Sequence, residues 1–118
     1  MGIVEYYAKQ LVALDNHVYV VERYVVSLKQ LIIAAYAQSG EHTSSRFLEF
    51  WGVDYMQLHT RWEHTPFVLA DSDECYTLLT QIGMSNKSGR YLFRAYSNSL
   101  QCQVICGDFH ILETMPEA

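Results

Sequence analysis

The run from His17 to Gln38, HVYVVERYVVSLKQLIIAAYAQ, constrains the fold more than any other stretch. Val18, Val21, Val25, Leu28, Ile32 and Ala35 step by three and four, a spacing that predicts one stripe of a long helix over 17–38. Valine loses rotamer freedom in a helix, so such a stripe must be buried to hold. A second stripe, Tyr19, Val26, Ile33 and Ala37, is also apolar, which places the expected helix at the centre of a core or against a second chain. Glu22, Arg23, Lys29 and Gln30 interrupt the run and argue against a bilayer span.

The flanking segments extend this reading. Ile3, Tyr7, Leu11 and Leu14 predict a first helix over 3–14, with Asp15 and Asn16 as break and cap. Ser39-Gly40 closes the long helix, and Thr43 or Ser44 caps another over roughly 44–63, interrupted at Gly52 and restarted at Asp54. Thr65-Pro66 stops it, and Phe67–Ala70 reads as a short strand. Asp71 with Glu74 three residues on forms a capping pattern before Cys75, Leu78, Leu79 and Ile82, which share one helical face ended by Gly83.

Beyond the loop 84–89 the period becomes two. Tyr91–Tyr96, Gln101–Cys106 and Phe109–Leu112 read as strands separated by turns at 97–99 and 107–108. The expected fold is α+β: about four helices, N-terminal and central, packed on a small antiparallel β-meander at the C-terminus. With 118 residues, 1–118 is expected to form a single compact domain.

Composition narrows the function. Hydrophobic residues make up 50%, enough for a core without disulfides or metal. The net charge of −5 and the scattered Lys and Arg argue against direct binding of duplex nucleic acid, which needs clustered cations. Three cysteines form no complete disulfide framework, which predicts reduced thiols and a cytoplasmic setting. MGIVEYYAKQ lacks the basic n-region of a secretory leader, and Tyr6 stands where a myristoylation motif carries Ser or Thr. Asn86-Lys87-Ser88 matches a glycosylation sequon, a chance match if the chain is not secreted.

The densest chemistry lies in QCQVICGDFH, 101–110, where Cys102, Cys106 and His110 fall four apart. On a strand, four residues span about 13 Å, too far for two thiolates to share one zinc ion at about 2.3 Å each. The two thiols are therefore read as small buried hydrophobes. HTRWEH, 59–64, offers His59, Glu63 and His64 as weak metal-ligand candidates. It departs by one residue from the H-x-x-E-H pattern of one metalloprotease class. DSDE, 71–74, is read as helix-capping carboxylates rather than a catalytic pair. Lys87, Arg90 and Arg94 with Tyr91, Phe93 and Tyr96 form the one basic–aromatic patch, read as one core face and one solvated face. No phosphate loop or nucleophile elbow occurs, and no cofactor is implied.

The 9 tyrosines are the remaining signal, since those on the first two expected helices point several ways and tyrosine is enriched at interfaces. The expected interface is Tyr19, Arg23, Tyr36, Trp51 and Tyr55. The expected function is a non-enzymatic acidic protein-binding module. An inhibitor of the anti-defence or toxin-immunity type fits, one that occludes a basic surface of a larger protein, for instance one handling nucleic acid. The alternatives are a homodimer joined through the second stripe, or a small metal- or thiol-dependent enzyme using His59, Glu63, Cys75 or the Cys102–Cys106 strand.

Overall fold

The structure is a computed structural model, and it describes residues 9, 11, 17–37, 45–84, 88–97 and 100–116. Of the helix expected over 3–14, Lys9 and Leu11 are helical and Leu11 is buried; its other residues lie outside the described set.

The long helix expected over 17–38 is a β-hairpin. His17–Val25 (β1) pairs antiparallel with Gln30–Ala37 (β2), from His17↔Ala37 to Val25↔Gln30. The register shifts between Val21 and Arg23, so Glu22 is the extra residue of a bulge. The connection is a 3-10 turn over Val26–Leu28, and Lys29 follows it in the left-handed region at φ 49°. Two physical facts overturn the helical reading. Val, Ile and Tyr fit a pleated, half-buried surface better than a helix. The bulge puts Tyr19, Val21 and Tyr24 on one side of β1, and that step of two and then three imitates a helical period.

The helix expected over 44–63 is likewise three strands: Arg46–Trp51 (β3), Tyr55–Gln57 (β4) and Arg61–Glu63 (β5). Phe47 and Trp51 give β3 apolar residues on its outer face too, which hides its alternation. Val68–Leu69 forms β6, within the short strand expected there. The helix expected after Asp71 is present as Ser72–Gln81 (α1). Tyr91–Tyr96 (β7), Gln101–Cys106 (β8) and Asp108–Leu112 (β9) complete the chain. These last strands do not form a separate meander, because β9 leaves β8 for the other sheet. The protein is thus mostly β, with two antiparallel sheets and one helix among the described elements, rather than about four helices on a small sheet.

The first sheet runs β5-β1-β2-β3-β9 and the second β4-β8-β7-β6. They face each other across one core. Tyr19, Leu31, Ile33, Leu48, Phe50 and Phe109 come from the first sheet, and Phe93, Ala95, Cys102, Val104 and Cys106 from the second. Phe50 lies at its centre, with ring centroids of Phe67, Phe93 and Phe109 at 5.6, 5.5 and 4.9 Å. Such tilted and edge-to-face pairs suit the aromatic quadrupole. The helix α1 packs on the far side of the second sheet, so the layers run sheet, sheet, helix.

Two bent strands join the sheets. β3 continues through Gly52 into β4, β8 continues through Gly107 into β9, and β3 pairs β9 while β4 pairs β8. Gly52 makes its corner at φ +65°, a conformation glycine adopts without a Cβ penalty. The outer face of the first sheet carries the cross-strand row Arg23–Ile32–Glu49–His110. Gln30 Nε2 donates to Glu49 Oε2 at 2.8 Å, and both side chains are buried. Arg23 Nη2 donates to the Pro116 carbonyl at 2.8 Å. The segment after β9 therefore returns across this face to the strand three places away.

Candidate functional site

The second sheet has a covered half and an open half, and the boundary falls between two cross-strand rows. The apolar row Ala70–Leu92–Ile105–Tyr55 lies under α1, where Cys75 and Leu79 bury against it. The next row, Val68–Arg94–Gln103–Gln57, is polar apart from its first member and runs beside the helix. Both rows lie on one face because they take every second residue of β7 and β8, while Phe93 and Val104 between them face the core.

The polar row is one connected network. Gln103 Nε2 donates to Gln57 Oε1 at 3.0 Å, while Gln103 Oε1 accepts from Arg94 Nε at 3.1 Å and from the Tyr96 hydroxyl at 3.3 Å. Arg94 Nη1 donates to Glu74 Oε2, tying the sheet to the first turn of α1. The Arg94 guanidinium also lies over the Tyr96 ring, 5.4 Å from its centroid. Asp71 caps α1, its Oδ1 accepting the Glu74 N–H at 2.8 Å, as the DSDE reading expects.

Between this network and β6 is a groove with a cavity of about 380 Å³. Val68, Leu69, Ala70, Asp71, Glu74, Arg94 and Tyr96 line it. Val68 is 63% exposed and Tyr96 49%, the largest apolar exposures on this side of the sheet. A second, more apolar cavity of about 280 Å³ opens between the sheets, lined by Val21, Tyr24, Leu31, Met56, Leu58, His59 and Thr60.

The interface expected from the sequence divides. Tyr19 is fully buried and stacks on Trp62 at 5.3 Å between centroids, so its ring belongs to the core and not to an interface. Arg23, Tyr36 and Trp51 share the outer face of the first sheet, where Arg23 and Trp51 are half-buried and the Tyr36 hydroxyl donates to Glu22 at 2.9 Å. Tyr55 lies on the other sheet, against the residues under α1. Tyr6 and Tyr7 lie outside the described residues. The apolar stripe offered for a homodimer does not exist as a surface, because Tyr19 and Ile33 are core residues of a hairpin.

The chemical candidates stay apart. His59 precedes β5, Glu63 lies on it beside Arg61 at 3.6 Å, and His64 follows it at φ 60°. Among the described residues no three His, Cys, Asp or Glu side chains come together as metal ligands. Cys75, Cys102 and Cys106 are free and buried, and burial raises the pKa of each thiol, most of all Cys106. Cys102 accepts the His59 backbone N–H at 3.4 Å, which offsets part of its shift. Of the basic–aromatic patch, Phe93 faces the core, Arg90 pairs with the nearly buried Asp54, and Lys87 and the sequon at 86–88 fall at least partly outside the described residues. Arg94 and Tyr96 alone meet in the groove.

Sequence reasoning missed Val68 and the link from Glu74 to Arg94. No local signal joins β6, α1 and β7, which meet only through the sheet. Among the described residues no helix is long and apolar enough to cross a membrane. Comparison with protein-family models, with curated proteins and with solved structures finds no match.

Proposed function

We propose that the protein is a non-enzymatic acidic protein-binding module that acts as an inhibitor by covering a basic surface of a larger partner. The observation that carries this reading is the groove beside β6, where exposed Val68 and Tyr96 flank a network of polar side chains. Exposed apolar and aromatic side chains set beside arginine and other polar groups are the composition of a protein interface. The net charge of −5 favours fast association with a basic partner more than it deepens affinity. The three free thiols suit a reducing compartment such as the cytoplasm.

Affinity capture from the source cells, followed by titration of the purified partner, tests this reading. Val68→Glu and Tyr96→Ala are expected to weaken binding at least about tenfold, one lost anchor of the kind that dominates interfaces, with the melting temperature nearly unchanged. Recovery of no stoichiometric partner, or a partner that binds both variants as it binds the wild type, would sink the reading.

A further inference from the structure

We infer that the groove between β6 and α1 receives an extended segment of the partner, paired to the backbone of Leu69 and carrying a basic side chain into the cavity. This rests on the protein-binding reading above. Three features lead to it: a strand edge unpaired among the described residues, the size of the cavity, and the net negative charge of its wall.

β6 is the last strand of its sheet and, among the described residues, pairs with β7 alone. The Ala70 N–H donates to the Leu92 carbonyl at 2.8 Å, so Ala70 turns its backbone groups toward β7. Backbone direction alternates along an antiparallel strand, so the N–H and C=O of Leu69 point away from β7, toward the edge that is unpaired among the described residues. An incoming strand opposite Leu69 can exchange two hydrogen bonds there, which is recognition by strand addition. Its next residue projects onto the face that carries Val68 and Arg94, because neighbours across a pair share a face.

The cavity on that face has about 380 Å³. At roughly 30 Å³ per water, it holds on the order of ten heavy atoms, enough for one long side chain. Val68 and Tyr96 offer apolar wall for a methylene stem. The charge decides what the tip must be. Arg94 gives its Nε–H to Gln103 and an Nη1–H to Glu74, so its charge is already matched by one carboxylate. Asp71 and Glu74 line the cavity against that single guanidinium, and Asp73 stands in the same turn. A Lys or Arg tip completes the carboxylates; an acidic tip is repelled by them.

The test selects random peptides by display on the intact protein and maps the winners by amide and arginine side-chain NMR. The expected winners carry Lys or Arg within an extended β-prone run and shift the Val68 and Leu69 amides and the Arg94 Nε–H. They should lose about tenfold in affinity to Asp71→Asn with Glu74→Gln, as expected for one charge-assisted contact. Asn still caps a helix and Gln still accepts from Arg94, so this variant keeps its fold. Asp108→Asn, at the opposite sheet, should bind as wild type. Winners that lack basic residues, that map elsewhere, or that ignore the double variant overturn the inference. Enrichment no better than on an unrelated protein overturns it too. The broader reading is judged apart, since a native partner lost to Val68→Glu but indifferent to Asp71→Asn with Glu74→Gln would leave protein binding standing and remove the basic segment.

Discussion

Gly107 donates its backbone N–H to the Trp51 carbonyl at 2.9 Å, at the point where two strands pass together from one sheet to the other. This bond closes the corner that lets β3–β4 and β8–β9 serve both sheets. Its partner at the bend is Gly52, whose position for a Cβ lies 3.6 Å from the Gly107 nitrogen, an ordinary contact. The demand for glycine there is therefore conformational. Gly52→Ala is expected to cost about 1–2 kcal/mol, the left-handed penalty of an L residue. Gly83→Ala, at φ +84° in open space, should cost a similar amount. Urea unfolding of the two variants checks this; a much larger loss at Gly52 would mean that contact rather than backbone closes the corner.

Tyr19 and Tyr36 should behave as opposites. Removing the buried Tyr19 ring from its stack on Trp62 should cost about 3–5 kcal/mol, as deletions of core aromatics do. Tyr36 is 38% exposed and holds one hydrogen bond to Glu22, so Tyr36→Ala should cost less than about 1.5 kcal/mol. Denaturant midpoints measure both, and equal losses would contradict the placement of the two rings.

Arg23→Ala should free the segment that follows β9 while sparing the hairpin. The side chain holds the Pro116 carbonyl at 2.8 Å. Amide exchange at Glu113, Thr114 and Met115 is expected to quicken with β1 and β2 unchanged. Uniform quickening throughout the first sheet would show that Arg23 supports the sheet itself.

Stability should fall on the alkaline side. Burial raises the Cys106 thiol pKa above its unfolded value, so the folded state keeps a proton that the unfolded chain releases. The loss begins as pH passes the unfolded thiol pKa, near 8.5, and grows by up to about 1.4 kcal/mol per pH unit for this group. Replacing Cys106 by Ala should flatten that slope in unfolding curves at pH 8–10. An unchanged slope would assign the alkaline loss to other groups.

Asp71→Ala should cost about 1 kcal/mol, the usual worth of an N-cap, because it leaves the Glu74 N–H without its acceptor. Asp71→Asn should restore most of it. Thermal melts of the pair decide whether Asp71 serves α1 as a cap.

The parts of the fold legible in the sequence are those where one local rule acts alone. Asp71 and Glu74 announce α1, and the alternation of 91–96 and 101–106 announces β7 and β8, with Cys102, Val104 and Cys106 facing the core. The hairpin β1–β2 was hidden by its own irregularities. A bulge at Glu22 broke the period of two, and Lys29 took the left-handed turn position where glycine or asparagine would have signalled a reversal. Gly52 looked like an interruption in a helix because a strand that bends between sheets leaves the same mark. Of the groove, the pairing of Arg94 with an aromatic was visible two residues away at Tyr96, whereas Val68 and Glu74 reach Arg94 only through tertiary packing.

The pairing of β3 with β9 also sets a timetable for synthesis. Residues 46–51 leave the ribosome long before 108–112, so β3 must wait with its partner edge bare and the apolar side of Leu48 and Phe50 half-covered. Contacts this distant in sequence fold slowly and leave sticky intermediates. The corner at Gly52 and Gly107 therefore closes only once β9 is available to pair with β3, which places it late in folding.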